Sequence, residues 1–196
     1  MRKLLFIAFV ALSGASLQAT VMAPMFMDDL TGESQTVVYG TITAKRTEWG
    51  PGRRMIFTVY TVQPGQYLKG WLGTAFELRE PGGELDGEGF HIASVPQFEV
   101  GQEAVMFVWT DQASNHQVTA FEQGVVSVIT GENGVKQVSR SIPLGSARTG
   151  QISNAMVDSA ADAAMLGPTV APSEQSLGGL LNQIRLSVAR TQPAGK

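Results

Sequence analysis

Short runs of β-type residues separated by turn residues dominate the chain from position 36 onward. Residues 36–47 are rich in β-branched side chains, and Gly50-Pro51-Gly52 then forces the chain to reverse. Residues 55–62 (MIFTVYTV) follow as the hairpin partner. Because both alternating sets of this segment are apolar, it is predicted to be a central strand buried on two sides.

The later segments continue this β pattern. Residues 74–79 alternate, with Phe76 and Leu78 on one face, and residues 104–110 form a continuous apolar run. Residues 117–121 follow a polar turn. Residues 124–129 and 135–142 flank Asn133-Gly134, which tolerates the positive φ angles of a type I′ turn. About seven strands are predicted, within a β domain over residues 36–143.

A long turn-rich stretch separates two of these strands. Residues 80–103 contain five glycines and two prolines, and are predicted to form an extended loop. Loops of this length are uncommon in compact domains unless they have a function. The stretch is therefore the first candidate for a binding surface.

The C-terminal part changes in character. Residues 144–176 are Ala-rich and predict a weak helix or a linker. Over residues 177–190 an apolar stripe recurs at helical spacing, formed by Leu177, Leu180, Leu181, Ile184 and Val188. The stripe predicts an amphipathic helix packed on its own domain, followed by a tail over residues 191–196.

The N-terminus has the pattern of an export signal. Arg2 and Lys3 precede an apolar run over residues 4–12, which is too short for a transmembrane span. A signal peptide over residues 1–19 is predicted, with cleavage after Ala19 and an N-terminal segment over residues 20–35. No cysteine follows to accept a lipid, so the mature protein is expected in the periplasm or outside the cell, without a membrane span.

Charge and composition narrow the possible partners. Removing Arg2 and Lys3 leaves 12 basic residues against 17 acidic ones, a net charge of 12 − 17 = −5. Nucleic-acid binders usually show the opposite balance, so no nucleic-acid partner is expected. With no cysteine in the chain, the fold must be held by packing alone.

Catalytic motifs are missing from the sequence. It has no thiol, no Gly-x-Ser-x-Gly motif, no zinc motif, and two histidines, His91 and His116. A non-enzymatic protein is therefore predicted, with no assigned cofactor.

Two clusters could hold a metal ion. Glu84, Asp86 and Glu88 offer alternating carboxylates around a glycine, which suits calcium, although a solvated acidic loop is the favoured explanation. The thioethers of Met22, Met25 and Met27 suit Cu(I), whereas their apolar neighbours favour a segment packed on the domain.

Two tryptophans extend the candidate binding surface. Trp49 lies beside the Gly50-Pro51-Gly52 turn, and Trp71 follows Lys69-Gly70. Each indole could close the domain or stack on a sugar or peptide. The residues proposed for contact with a protein or glycan ligand are Trp49, Trp71, Glu84, Asp86, Glu88 and His91.

Turn and packing residues over about residues 36–125 resemble those of a group of uncharacterised exported bacterial proteins. The resemblance is carried by Val37-Val38-Tyr39-Gly40-Thr41-Ile42, Ile56-Phe57-Thr58, Tyr67-Leu68-Lys69-Gly70, Pro81-Gly82-Gly83, Val95-Pro96-Gln97-Phe98, Gly101-Gln102-Glu103, Phe107 and Gln123-Gly124. The strand that ends in Leu68-Lys69-Gly70 is also similar to an element of netrin-module and TIMP-like OB barrels. These resemblances imply a small closed or nearly closed β-barrel and assign no functional residue.

The sequence thus predicts a mostly β fold: a small antiparallel, OB-like β-barrel or sandwich with a C-terminal amphipathic helix. Its predicted function is that of an exported, non-enzymatic binding or envelope-associated module. Two alternatives stay open, namely an inhibitor or accessory partner of an exported protease, and a protein that binds calcium or copper.

Overall fold

The computed structural model describes residues 23–140, 142, 144 and 176–191. The predicted signal peptide, most of the Ala-rich segment and residues 192–196 of the predicted tail lie outside these residues, and Thr191 belongs to the C-terminal helix. The described elements, in chain order, are α1 (Met27–Glu33), β1 (Thr36–Trp49), β2 (Ile56–Lys69), β3 (Phe76–Pro81), β4 (Gly83–Leu85), β5 (Glu88–Phe90), β6 (Glu103–Thr110), β7 (His116–Val118), β8 (Val125–Thr130), β9 (Lys136–Val138) and α2 (Leu177–Thr191). None of the helices in this part of the chain is long and apolar enough to cross a membrane.

Five strands close into a barrel. Their order is β1-β2-β3-β7-β6, and β6 pairs back onto β1. The pairs are antiparallel except for β3 and β7, which run parallel and share a single bridge, Leu78 with His116. Strands β8 and β9 extend the sheet beyond β6, and β4 and β5 form a separate hairpin. The prediction of a mostly β, OB-like barrel is confirmed.

The long hairpin of β1 and β2 supplies much of the barrel wall. The two strands pair from Val37 opposite Lys69 to Trp49 opposite Ile56, so Gly50-Pro51-Gly52 lies at the reversal, as predicted. Three shifts in the pairing interrupt the first half of the hairpin. Such bulges increase the local twist of a strand, which lets β1 bend enough to pair with both β2 and β6.

The first hydrophobic core fills the barrel. Its buried residues come from the barrel strands and from the segment between β5 and β6, and they include Val38, Ile42, Tyr60, Val62, Leu78, Phe98, Met106, Val108 and Val118. Phe98 is fully buried and packs edge-on against Tyr60, with ring centroids 5.1 Å apart. The segment that carries Phe98 therefore plugs one end of the barrel.

The second core lies between the sheet and the two helices. Val37 of β1, Phe107 of β6 and Val126 of β8 pack there against Leu30 of α1 and Leu180 of α2. The predicted apolar stripe of α2 is the buried face, formed by Leu177, Leu180, Leu181, Ile184 and Val188. The prediction of a C-terminal amphipathic helix is therefore confirmed.

The long turn-rich stretch is more ordered than predicted. Strand β3 continues to Pro81, and Asp86-Gly87 closes the β4–β5 hairpin with φ angles of 55° and 80°. Asp-Gly suits a two-residue turn with two positive φ angles. The prediction of one extended loop over residues 80–103 is therefore wrong for its first part. Residues 91–102 form the plug segment, which carries Phe98.

Candidate binding site

A pocket of about 580 Å³ opens beside the plugged end of the barrel. Its walls are strands β1, β2 and β3, the β4–β5 hairpin and the first part of the plug segment. The side chains that carry most of its chemistry are Lys45, Thr47, Thr58, Tyr60, Glu80 and Phe90. Barrel mouths are a frequent place for small-molecule sites.

A row of polar side chains forms the floor of the pocket. Thr47 of β1 pairs with Thr58 of β2, and Thr58 pairs with Glu80 of β3. Because side chains alternate along a strand, Thr58 and Glu80 share the inner face with Tyr60 and Leu78. The apolar interior of the barrel thus becomes polar at its mouth.

Glu80 is the most unusual member of this row. Only 4% of the residue is exposed, and its Oε1 accepts a hydrogen bond of 2.7 Å from the backbone N–H of Val118. Burial raises the pKa of Glu80 from 4.5 to about 7, although the Val118 hydrogen bond opposes this change. Near neutral pH the carboxyl group therefore exists in both protonation states.

A pair of glycines brings the chain close to this row. The hydroxyl of Thr58 donates a hydrogen bond of 2.8 Å to the carbonyl oxygen of Gly82. Gly83 has a φ of +131°, and a Cβ atom on it would lie 2.6 Å from Thr58 Oγ1. A side chain at position 83 would therefore collide with the pocket floor, which explains the glycine there.

Lys45 and Tyr60 form the next polar positions. Lys45 Nζ lies 3.2 Å from Glu99 Oε1 and 5.8 Å from the centre of the Tyr60 ring. Burial raises the pKa of Tyr60, while a hydrogen bond from the backbone of Phe98 and the charge of Lys45 oppose the change. The phenol therefore stays neutral across the physiological pH range.

The rim of the pocket is apolar. Phe90 at the end of β5 is 39% exposed, and Ile92, Val95 and Pro96 continue the lining from the plug segment. The pocket therefore combines polar side chains on its floor with apolar side chains at its rim.

Two of the residues predicted from the sequence line this pocket. Glu84 and His91 are both exposed and lie at its edge. Trp49 and Asp86 lie next to each other, because Trp49 Nε1 donates a hydrogen bond of 2.9 Å to Asp86 Oδ2. Arg53 contacts the same oxygen at 2.9 Å and also covers the indole ring. The Trp49 and Arg53 hydrogen bonds lower the pKa of Asp86.

The carboxylates of the β4–β5 hairpin are not gathered around one point. Glu84 lies opposite Gly89, Glu88 lies opposite Leu85, and the Asp86 carboxylate accepts from Trp49 and Arg53. In the part of the chain that the structure describes, no group of three or more acidic or histidine side chains could hold a metal ion.

The structure places the described methionines of the predicted copper cluster in packing positions. Met27 is fully buried in the core under the helices, and Met25 packs partly buried against the same core. Met22 lies outside the described residues. The packing explanation accounts for Met25 and Met27.

Trp71 lies away from this site. It follows Lys69, which pairs with Val37 at the start of β1, whereas Trp49 is the last residue of β1. Trp71 is 67% exposed and contacts the ring of Tyr67, with centroids 4.6 Å apart. The long β1–β2 hairpin therefore separates the two tryptophans, which the sequence had suggested as parts of one surface.

The sequence prediction missed the pocket floor. The alternation of Phe76 and Leu78 continues to Glu80, and this pattern could have placed Glu80 on the buried face of its strand. Thr58 likewise shares the alternating set of Ile56 and Tyr60.

Comparisons with known proteins do not assign this site. No protein-family model matches the chain, and no curated protein matches it.

Proposed function

We propose that this chain is an exported, non-enzymatic binding module that holds a small ligand in the pocket at the mouth of its barrel. Export rests on the sequence of residues 1–19. Binding rests on one structural observation, the buried side chain of Glu80 at the floor of an open pocket of about 580 Å³.

The energetic cost of this arrangement supports a binding role. Moving a carboxylate out of water without a counter-ion is unfavourable, and burial accordingly raises the pKa of Glu80. Titratable groups that face a cleft and whose pKa is strongly shifted by burial are candidates for functional sites. A glutamine would keep an acceptor for the Val118 N–H without a charge to bury, so a ligand is the simplest reason for the acid.

The position of the pocket supports the same role. OB-type barrels commonly bind ligands on the face of their second and third strands and on the neighbouring loops. Thr58 and Tyr60 of β2, Glu80 of β3 and the β4–β5 hairpin occupy this region. The hairpin follows β3 directly and lines the pocket with Gly83, Glu84 and Phe90.

A panel of small ligands tests this proposal. Alkylamines, alcohols, carboxylic acids, disaccharides and short peptides are each added to the ¹⁵N-labelled chain, and amide chemical shifts are followed. At least one class is expected to shift the amides of Gly82 and Gly83 and to raise the melting temperature, since a ligand of the folded state stabilises it.

A pocket-blocking variant provides the control. Gln97 lies exposed at the pocket edge, so Gln97→Trp should block the opening without disturbing the core. Gln112→Trp makes the same change at an exposed turn outside the pocket and should leave binding unchanged. The proposal is overturned if no class binds, or if Gln97→Trp binds as well as Gln112→Trp.

A further inference from the structure

We infer that the ligand of this pocket is a small organic cation, in which an apolar group carries a protonated amine or amidine that contacts the carboxylate of Glu80. The inference rests on the proposed function and names the chemical class of its ligand. Three features of the pocket carry it: a free carboxylate oxygen, an excess of negative charge and an aromatic rim.

One oxygen of Glu80 is available to a ligand. Its Oε1 accepts the hydrogen bond from Val118, the one hydrogen-bond donor to this carboxylate among the described residues. Within the same residues, no fully enclosed side-chain oxygen or nitrogen lacks a hydrogen-bond partner. The second oxygen, Oε2, is therefore not fully enclosed, and because Glu80 lines the pocket, a ligand N–H group can reach this oxygen there.

The charges around this oxygen favour a cation. None of the ion pairs found among the described residues includes Glu80. The pocket lining contains Glu80, Glu84 and Lys45, and Lys45 is paired with Glu99. A ligand cation would supply the missing counter-charge, and a charge-assisted hydrogen bond is about twice as strong as a neutral one.

The rim suits the rest of such a ligand. Phe90 and Ile92 line the pocket, and 39% of Phe90 is exposed. Planar and aromatic groups can pack against such side chains, and an aromatic face also attracts a cation. An aromatic amidine therefore matches both the floor and the rim.

Binding of a cation should depend on the protonation of Glu80. The titratable groups that line the pocket with Glu80 are Lys45 from β1, Tyr60 from β2, Glu84 from β4 and His91 from the plug segment. His116 lies on β7, the strand next to β3. Burial keeps Glu80 protonated up to about pH 7, and a cation binds the ionised form. The apparent affinity should therefore fall about 100-fold from about pH 8 to about pH 5, in proportion to the ionised fraction.

Three probes of the same size test the inference on the full chain. Benzamidine is a cation, benzamide is its neutral counterpart, and benzoate is the anion. Titrations followed by the amide shifts of Gly82 and Gly83 should show benzamidine binding at least about 10-fold more tightly than benzamide at about pH 8. Benzoate should bind more weakly than either, and the affinity for benzamidine should fall at low pH.

Two matched variants isolate the role of Glu80. Glu80→Gln keeps the size of the side chain and an acceptor for Val118, and it should abolish both the preference for benzamidine and the pH dependence. Glu88→Gln removes the same charge at an exposed position of β5 outside the pocket lining and should retain both. Because the pH profile of the unmodified chain is a test in itself, the inference stays testable even if Glu80→Gln does not fold.

The outcomes separate this inference from the proposed function. The inference of a cationic ligand is wrong if benzamide or benzoate binds as tightly as benzamidine, or if the affinity for benzamidine changes less than about three-fold over this pH range. In either case the pocket still binds a ligand, and the proposed function stands. If none of the three probes shifts the pocket amides, the cation inference is overturned, and the wider panel with Gln97→Trp decides whether the pocket binds at all.

Discussion

Replacing Glu80 by glutamine should make the protein more stable at high pH. The carboxyl group is 4% exposed, and burial raises its pKa to about 7, against 4.5 for an exposed glutamate. The folded state therefore binds the proton more tightly than the unfolded state. Its contribution to stability is complete below pH 4.5 and is lost as the pH rises through 7.

The size of the effect follows from the two pKa values. A difference between about 7 and 4.5 corresponds to about 3 kcal/mol of lost stability once Glu80 is ionised in both states. Glu80→Gln has no charge to bury, so this loss is absent from the variant. The gap in the free energy of unfolding should widen by about 3 kcal/mol, in favour of the variant, between about pH 4 and about pH 8.5.

Urea denaturation of both proteins at a series of pH values measures this gap. Other titrating groups affect both proteins alike, so they cancel in the difference. Glu88→Gln, at an exposed position, serves as the control and should show no such widening. Parallel pH profiles for Glu80→Gln and the unmodified protein would refute the argument that the carboxyl group is buried without compensation.

Two further substitutions test the close packing of the pocket and of the helices. Gly83→Ala should cost about 2–3 kcal/mol in urea denaturation, because its Cβ would lie 2.6 Å from Thr58 Oγ1 at a φ of +131°. Gly87→Ala has a positive φ but open space around it, and should cost about 1 kcal/mol; equal losses would contradict the proposed collision. Ser187→Ala should cost about 1–2 kcal/mol, because the buried hydroxyl joins α2 to Asp28 and Thr31 of α1. The exposed Ser139→Ala should have little effect, and a Ser187→Ala melting curve equal to that of Ser139→Ala would exclude this role.

Local signals in the sequence were sufficient for much of the fold. Gly50-Pro51-Gly52 and Asn133-Gly134 each lie between paired strands, as their turn chemistry predicts. The stripe of α2 was recognisable because a helical period depends on near neighbours in the chain. Asp86-Gly87 carried the same kind of signal and was overlooked within a stretch interpreted as one loop.

The pocket could not be predicted in the same way, because its parts come from distant segments. Thr47, Thr58 and Glu80 form one row through the pairing of three strands, and the sequence alone does not determine that pairing. The alternation of Phe76 and Leu78 could have placed Glu80 on the inner face, but it could not show that the barrel opens to solvent at this point. The tryptophans illustrate the opposite error, since Trp49 and Trp71 look equivalent in the sequence and lie at opposite ends of one hairpin.

The carboxyl group of Glu80 also takes part in the contact between β3 and β7, which is the seam of the barrel. Strands β3 and β7 share a single bridge, and the hydrogen bond from Val118 to Glu80 joins the same two strands with a side chain in place of a backbone acceptor. One oxygen thus helps to close the barrel while the other faces the pocket. Because coupling between two events is reciprocal, a ligand that held this carboxylate ionised and in place would also strengthen the contact between β3 and β7, and closure of the barrel would in turn strengthen the binding of that ligand.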